Sequence, residues 1–169
     1  MKKLTKFLII FFATALFHYS SVYAAGSSSS GSGGYSDDNL YKQGKKLVLR
    51  AKKLEKKNKA EKAEQLYLKA LSKFEKAYEK NKKSADILNY LGYTLRKTGS
   101  FKKAENFYLK GLELDAGHLG INEYLGELYV ATNRLDLAKE RLKILETCSC
   151  DEYNELKAVI DGTKKSKYY

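Results

Sequence analysis

The chain has 169 residues, enough for one compact domain, and carries 32 lysines and arginines against 20 acidic residues, a formal net charge of +12. It contains no proline, which is compatible with an all-helical chain. No HExxH motif, glycine-rich phosphate loop or Cys/His metal cluster occurs in the sequence, and we therefore expect neither an enzyme nor a bound cofactor or metal.

The N-terminal segment has the order of features that is typical of a secretory signal peptide. Lysines within the first six residues precede an apolar run over residues 7–17, which is too short to cross a bilayer as a helix of about 20 residues. Val22 and Ala24 are compact residues at the positions that an exporting peptidase reads. We expect a signal peptide over residues 1–24 and a soluble periplasmic or secreted protein after cleavage. An uncleaved anchor or a buried helix is the less favoured alternative.

Residues 25–36 are predicted to form a disordered tether, because their glycines and serines offer no large apolar side chain to bury. Ser36, Asp37 and Asp38 follow the glycine run and are candidates for the N-cap of a first helix. The folded domain is therefore expected to begin near residue 37.

The positive charge is concentrated in one part of the chain. Residues 42–83 hold 16 basic and 5 acidic residues, whereas residues 84–169 hold 13 of each. A solvated helix surface is the simpler interpretation of this segment. The alternative is a binding surface for polyanions such as anionic lipid headgroups or cell-wall polymers. Nucleic acid is not expected as a partner, because the chain is predicted to be exported and the aromatic residues of the segment fall on its apolar stripe.

A period of 34 residues is visible in the second half of the chain. The tripeptide Tyr-Leu-Gly occurs at residues 90–92 and again at 124–126, and the apolar residues around both copies have helical spacing. The same shift aligns Gly99 with Asn133, two residue types that tolerate the left-handed backbone of a tight turn. Each unit is therefore predicted to be a helix, a short turn and a second helix.

These units resemble the tetratricopeptide repeat (TPR) family, whose pattern is W-x2-L-G-x2-Y, then A-x3-F, then P. The matching residues are Leu88, Leu91, Gly92, Leu95, Ala104 and Tyr108 in one copy, and Leu125, Gly126, Tyr129, Ala138 and Leu142 in the next. The usual tryptophan and proline are missing from both copies. The segment CSCDEYNELK is similar to the C-terminal part of small exported bacterial members. The resemblance implies an all-α, right-handed α-solenoid of about three helix-turn-helix repeats plus a C-terminal capping helix.

The register of the repeats sets the expected boundaries. A TPR domain over residues 37–162 would contain repeats at about 38–82, 85–118 and 119–150 and a capping helix at 151–162, with a frayed tail at 163–169. The first repeat is about 41 residues long, because its second helix is predicted to be longer by one heptad. Ser149 and Glu152 have the spacing of a capping box at the start of the capping helix.

Glycines are predicted to mark the closest contacts between helices. Gly92 is expected to face Ala104, and Gly126 to face Ala138, so that the two helices of each repeat can approach each other. Lys97 is expected to be exposed.

The resemblance also implies a concave groove, lined by the first helix of each repeat, in which a protein or peptide partner binds. The groove residues in this register are Lys45, Lys52, Asp86, Asn89, Tyr93, Arg96, Glu123 and Glu127. Ordinary solvated polar side chains are the alternative interpretation of these positions. Family members that clamp a C-terminal carboxylate use other residues where this chain has Val48, Gly120 and Tyr124, so binding of a chaperone tail is not expected.

The two cysteines, Cys148 and Cys150, are separated by one residue. A local disulfide is the first interpretation, because nearby thiols tend to pair in an oxidising compartment. A reactive or intermolecular thiol pair and a Cu(I) site are the alternatives. His118 lies in a predicted interhelical loop, where a solvated turn residue is more common than a catalytic one.

The leading hypothesis is therefore a non-enzymatic interaction or scaffold module that is exported to the cell envelope. One rival hypothesis is an envelope polyanion or membrane-surface binder that uses residues 42–83. The other is a thiol-redox or metal protein that uses Cys148 and Cys150.

Overall fold

The computed structural model of the chain describes residues 36–164. The predicted signal peptide at 1–24, nearly all of the predicted tether at 25–36, and residues 165–169 of the tail lie outside this part of the chain. Within the described residues, no helix combines the length and the apolar character that are needed to cross a bilayer.

The described residues form seven α-helices and no strand, so the predicted all-α fold is confirmed. The helices are α1 (Asp37–Glu55), α2 (Ala60–Lys80), α3 (Ala85–Lys97), α4 (Phe101–Leu114), α5 (Leu119–Ala131), α6 (Leu135–Leu145) and α7 (Asp151–Ile160). Helices α1–α2, α3–α4 and α5–α6 pack as three successive hairpins, and α7 packs against α5 and α6.

The three hairpins turn in the same way, at a residue with a left-handed backbone. Asn58, Gly99 and Asn133 have φ angles of 55°, 78° and 57°. In each turn the next backbone N–H donates to a carbonyl five residues earlier, as Ser100 does to Leu95 at 2.8 Å. This Schellman arrangement satisfies carbonyl groups at the end of the first helix. The turn role predicted from the alignment of Gly99 with Asn133 is therefore confirmed.

The first hairpin is longer than the other two. Helix α2 has 21 residues against 14 in α4, which is the predicted extra heptad. Helix α1 is also longer, with 19 residues against 13 in α3. A Cβ on Gly44 would lie 2.5 Å from the ring of Phe74, one heptad beyond Tyr67. The extension of α1 thus covers the extension of α2, because a longer apolar stripe needs a longer partner to bury it.

Side chains at equivalent positions cap the first helix of each hairpin. The hydroxyl groups of Ser36 and Ser84 and the Nδ1 atom of His118 each accept a hydrogen bond from the backbone N–H three residues later. His118 is therefore a structural turn residue, as predicted. The predicted capping box at Ser149 is wrong, because Ser149 has a φ of 48° and α7 begins after Cys150, which makes no side-chain cap bond.

The glycines do mark close contacts, but the predicted partners were wrong. A Cβ on Gly92 would lie 2.5 Å from the ring of Tyr108 on α4, so a tyrosine covers this glycine rather than an alanine. A Cβ on Gly126 would lie 2.5 Å from the side chain of Leu156, which belongs to α7 rather than to α6. A glycine leaves room for a large neighbouring side chain. That side chain comes from α4 at Gly92 and from α7 at Gly126.

Helix α7 covers the apolar surface of the last hairpin. Leu156 and Val159 are 0% and 4% exposed, and Leu156 lies directly over Gly126. A repeat stack must cover its last apolar face, and α7 does so here.

Candidate functional site

A cleft of about 440 Å³ lies where the first helices of the hairpins meet. Its walls are the early part of α1, the N-terminal ends of α3, α5 and α7, and the loop between α4 and α5. Helices α1, α3, α5 and α7 contact one another in that order, so each adds one wall to the same row. The cleft is therefore built by the stacking of the hairpins and not by any one of them.

The eight predicted groove residues separate into two groups. Four of them line the cleft: Lys45, Asp86, Asn89 and Glu123. The other four are Lys52, Tyr93, Arg96 and Glu127. Tyr93, Arg96 and Glu127 are at most 4% exposed. The prediction that these three side chains are accessible to a partner is therefore corrected, since neighbouring helices cover them.

Arg96 is enclosed between α3 and α5. Its Nη1 atom donates to Oε2 of Glu127 at 2.9 Å and to the carbonyl oxygen of Tyr124 at 3.1 Å. Its guanidinium group also lies 5.7 Å from the ring centroid of Tyr93. These contacts hold two successive hairpins together. Arg96 was predicted to bind a partner, but its side chain instead contacts other residues of this protein.

Two lysines of α1 place their ammonium groups against tyrosine rings. The Nζ atom of Lys45 lies 5.1 Å from the ring centroid of Tyr41 and 5.8 Å from that of Tyr90. The Nζ atom of Lys52 lies 4.8 Å from the ring centroid of Tyr93. A cation–π contact of this kind contributes about 0.5–1 kcal/mol at an exposed position. Part of the positive charge of the first hairpin therefore stabilises the row of first helices.

Asn89 has an unusual environment in the wall of the cleft. The residue is 6% exposed, and its Oδ1 atom is buried with no hydrogen-bond partner among the described residues. Gly120 lies beside it, and a Cβ at that position would come within 2.8 Å of Nδ2 of Asn89. The missing side chain at Gly120 therefore leaves room for the Asn89 amide. A buried acceptor without a donor is rare in proteins, because its lost hydration is not replaced.

The carboxyl group of Glu123 lies in the same wall and holds its proton unusually strongly. Burial, followed by the carboxylates of Glu127 and Glu152, raises the pKa of Glu123 to about 8, although Arg96 and Lys52 act in the opposite direction. At neutral pH this group is mostly protonated and can donate as well as accept a hydrogen bond.

Two more charged groups stand at the mouth of the cleft. Asp86 is exposed, and its Oδ1 atom lies 3.4 Å from Nε2 of His118. Because Nδ1 of His118 accepts the cap bond of α5, Nε2 carries the proton and can donate to Asp86. The sequence analysis missed Tyr41 and Glu152 as cleft residues. The predicted groove began at Lys45 on α1, and the prediction placed α7 as a cover rather than as a wall.

Lys97 is also placed differently from the prediction. Its side chain is 5% exposed and forms an ion pair with Glu55. The hydroxyl group of Tyr67 donates to the same carboxylate at 2.9 Å. Burial lowers the pKa of Lys97. The expectation of an exposed lysine is therefore wrong, because the first hairpin packs over the end of α3.

The comparisons with known proteins agree with this architecture. The sequence model of the tetratricopeptide repeat family matches residues 47–116. Residues 47–116 are therefore similar to tetratricopeptide repeats. This match spans α3, α4 and most of the first hairpin, so the recognised TPR segment includes the first repeat, which is the less regular one in sequence.

Several solved structures are similar to this chain at low sequence identity. The type III secretion translocator chaperone SycD of Yersinia enterocolitica is 15% identical, with a TM-score of 0.51 over 75% of this chain and 91% of that chain. The TPR domain of Arabidopsis OM64 is 12% identical, with a TM-score of 0.48 over 74% and 99% of the two chains. The second TPR domain of human RPAP3, in complex with an HSP70 peptide, is 15% identical, with a TM-score of 0.47 over 74% and 98%. No curated protein matches the sequence.

The helical stack presents most of the basic residues of segment 42–83 to solvent. The exposed lysines near the tip of the first hairpin are Lys53, Lys56, Lys57, Lys59 and Lys62. By contrast, Lys45 and Lys52 lie against tyrosines. The tip therefore concentrates positive charge on the surface, away from the cleft.

Cys148 and Cys150 are joined by a disulfide in the link between α6 and α7 of the helical stack, with their Cα atoms 5.1 Å apart. Within residues 36–164, no group of three or more His, Cys, Asp or Glu side chains is placed to hold a metal ion. Among these residues, the two sulfurs are therefore not part of a group of side chains that could hold a metal ion.

Proposed function

We propose that this protein is a non-enzymatic interaction module of the cell envelope, and that a segment of a protein partner enters the cleft between α1, α3, α5 and α7. The observation that carries the proposal is the buried amide of Asn89, whose Oδ1 atom has no hydrogen-bond partner among the described residues. A bound segment that donates a hydrogen bond there would give Oδ1 of Asn89 the partner that it lacks among the described residues. TPR domains commonly present such concave surfaces to partners.

Gly117→Trp tests the cleft with little effect on the fold. Gly117 is exposed and lines the cleft, and a Cβ there would meet Oδ1 of Asp115 at an ordinary contact distance of 3.7 Å. An indole at this position would fill the mouth of the cleft, whereas Gly117→Ala would leave it open.

The measurement is a crosslinking pull-down from cell-envelope extracts with the wild-type protein and both Gly117 variants. We expect the tryptophan variant to capture about tenfold less of a partner that the wild type and the alanine variant both capture. Equal capture by all three proteins, at equal thermal stability, would rule out the cleft as the binding site.

Export is part of the proposal and has its own test. The support is the order of charged, apolar and small residues over residues 1–24. N-terminal sequencing of the protein from cell fractions should find a mature chain that starts at Ala25 in the envelope or the medium. A chain that keeps Met1 and stays with the cytoplasmic fraction would contradict export.

The charged tip of the first hairpin supports a second candidate function, binding to an anionic surface. The exposed lysines there would attract polyanions through long-range electrostatics that salt screens. This function would use a different surface from the cleft, so variants can separate the two.

A further inference from the structure

We propose that the cleft binds a primary ammonium group, carried by a lysine side chain of the partner protein. This inference rests on the proposed function and names the chemistry that the cleft accepts. The first support is charge. Three carboxylates line the cleft, from Asp86, Asp115 and Glu152, against the single ammonium group of Lys45, and the carboxyl group of Glu123 beside them is mostly protonated at neutral pH. An anionic ligand would meet repulsion there, whereas a cation would be attracted.

The second support is the unpaired acceptor of Asn89. An ammonium group has three N–H donors and no acceptor, so it suits a wall that offers carboxylate oxygens and an amide oxygen. A carboxylate ligand has only acceptors and could not satisfy Oδ1 of Asn89. Asn89 lines the cleft, and its Nδ2 atom lies next to Gly120.

The third support is the aromatic part of the cleft. Tyr41, Tyr90 and Tyr124 all line it, and tyrosine rings attract cations through their faces. The ammonium group of Lys45 already lies over Tyr41 and Tyr90, within 6 Å of both ring centroids as such contacts require. The rings therefore hold an ammonium group in this geometry, and the ring of Tyr124 likewise has the cations of Arg96 and Lys52 at 5.2 Å and 5.9 Å from its centroid.

The helix dipoles disfavour a cation in the cleft, but the charges of nearby carboxylates outweigh them. The N-terminal ends of α3, α5 and α7 face the cleft, and each carries a partial positive charge of about half an electron. The capping atoms of Ser84 and His118 already accept from N–H groups of α3 and α5. Asp86 and Glu152 each place a full negative charge in the first turn of α3 and α7. A full charge outweighs about half a charge at similar distance.

A lysine side chain fits better than the amino terminus of a chain. Its four-carbon stem is apolar and can lie along tyrosine rings while the ammonium group reaches the carboxyl groups. A terminal amine is attached directly to the polar backbone and would have to bring that backbone into the cleft, among side chains that are already packed.

The experiment is calorimetric titration of the full chain with an acetylated and amidated peptide of alternating glycine and lysine. Two further peptides isolate the chemistry: the same peptide with ε-acetylated lysines, and a lysine-free peptide with a free amino terminus. The cleft variant is Asp86→Asn with Glu152→Gln. Its matched control is Asp136→Asn with Asp151→Asn, which removes two acidic residues from the first turns of α6 and α7, outside the cleft.

We expect the lysine peptide to bind, the acetylated peptide to fail, and the cleft variant to bind at least about tenfold more weakly than its matched control. Equal loss in both variants would show that only net charge matters and would overturn the inference. Binding of the lysine-free peptide alone would also overturn it, in favour of a chain terminus.

The Gly117→Trp variant separates this inference from the proposed function. If it loses the captured partner while the lysine peptide does not bind the wild type, the cleft is the partner site and the ammonium inference fails. If the lysine peptide binds the wild type but not Gly117→Trp, and partner capture is unaffected, the cleft accepts an ammonium group and the proposed function fails.

Discussion

Arg96 on α3 and Glu127 on α5 form a buried ion pair between two successive repeats. Nη1 and Oε2 are 2.9 Å apart, and the two side chains are 1% and 5% exposed. A charge taken out of water is costly unless its partner and further hydrogen bonds compensate. The pair therefore makes the packing of α3 against α5 depend on both residues at once.

This dependence predicts a strong coupling between the two positions. Arg96→Met or Glu127→Leu alone should each cost about 3–5 kcal/mol of unfolding free energy, because each leaves a buried charge without its counter-ion. The double variant should cost much less than the sum of the two. Urea unfolding of the four proteins measures the cycle, and additive losses would show that the pair does not act as a unit.

The contact between Gly92 and Tyr108 predicts a large effect of one methyl group. A Cβ on Gly92 would lie 2.5 Å from the Tyr108 ring, so Gly92→Ala should overpack the α3–α4 contact and cost about 1–3 kcal/mol. Gly117→Ala is the control, since its Cβ has room. Thermal unfolding compares the two, and equal melting temperatures would contradict the close contact.

The pKa of Glu123 predicts how stability changes with pH. In the unfolded chain its pKa is near 4.5, whereas in the folded protein burial raises it to about 8. Between these values the folded protein holds the proton that the unfolded chain has released, so this group makes stability fall as pH rises from 4.5 to 8.

Glu123→Gln removes this titration and should therefore gain stability relative to the wild type as pH rises. The groups that face Glu123, namely Arg96, Lys52, Glu127 and Glu152, stay in place and cancel in the difference. We expect the difference in unfolding free energy to shift by about 1–3 kcal/mol between pH 5 and pH 9. A difference that stays constant over this range would show that Glu123 does not bind a proton there.

Charge reversal tests the anionic-surface candidate. The test variant changes four exposed lysines at the tip of the first hairpin to glutamate: Lys56, Lys57, Lys59 and Lys62. The control reverses four exposed lysines elsewhere: Lys102, Lys103, Lys139 and Lys143. If the tip binds anionic phospholipid vesicles, binding should weaken steeply with salt and disappear in the first variant only. Equal binding by both variants would leave the tip as a solvated surface.

The disulfide between Cys148 and Cys150 predicts a small contribution to stability. Its loop is very short, so it removes little entropy from the unfolded chain and should contribute well below the typical value of about 2–4 kcal/mol. Cys148→Ser with Cys150→Ser should fold with a slightly lower melting temperature. A thiol assay on protein from the envelope should find no free thiol, and two reduced sulfurs would instead favour a thiol-redox or metal role.

The sequence predicted the features that depend on nearby residues. Gly99 and Asn133 could be identified as turn residues because the left-handed backbone is a property of single residue types. The extra heptad of α2 was predicted from the length of the first repeat, which exceeds the 34-residue period by about one heptad. The cleft residues Lys45, Asp86, Asn89 and Glu123 were placed on the correct helical face by the repeat register that the family resemblance implied.

The sequence by itself thus determined the helices, the turns, the repeat period and the polar face of each first helix, because hydrogen bonding and helical periodicity act over a few residues. The tertiary structure alone decided which polar residues are accessible. Arg96 and Lys97 are adjacent at the end of α3, and they are buried by Glu127 of the next hairpin and Glu55 of the previous one. Burial depends on how closely hairpins stack, and that distance is set by contacts between residues that are far apart in the chain.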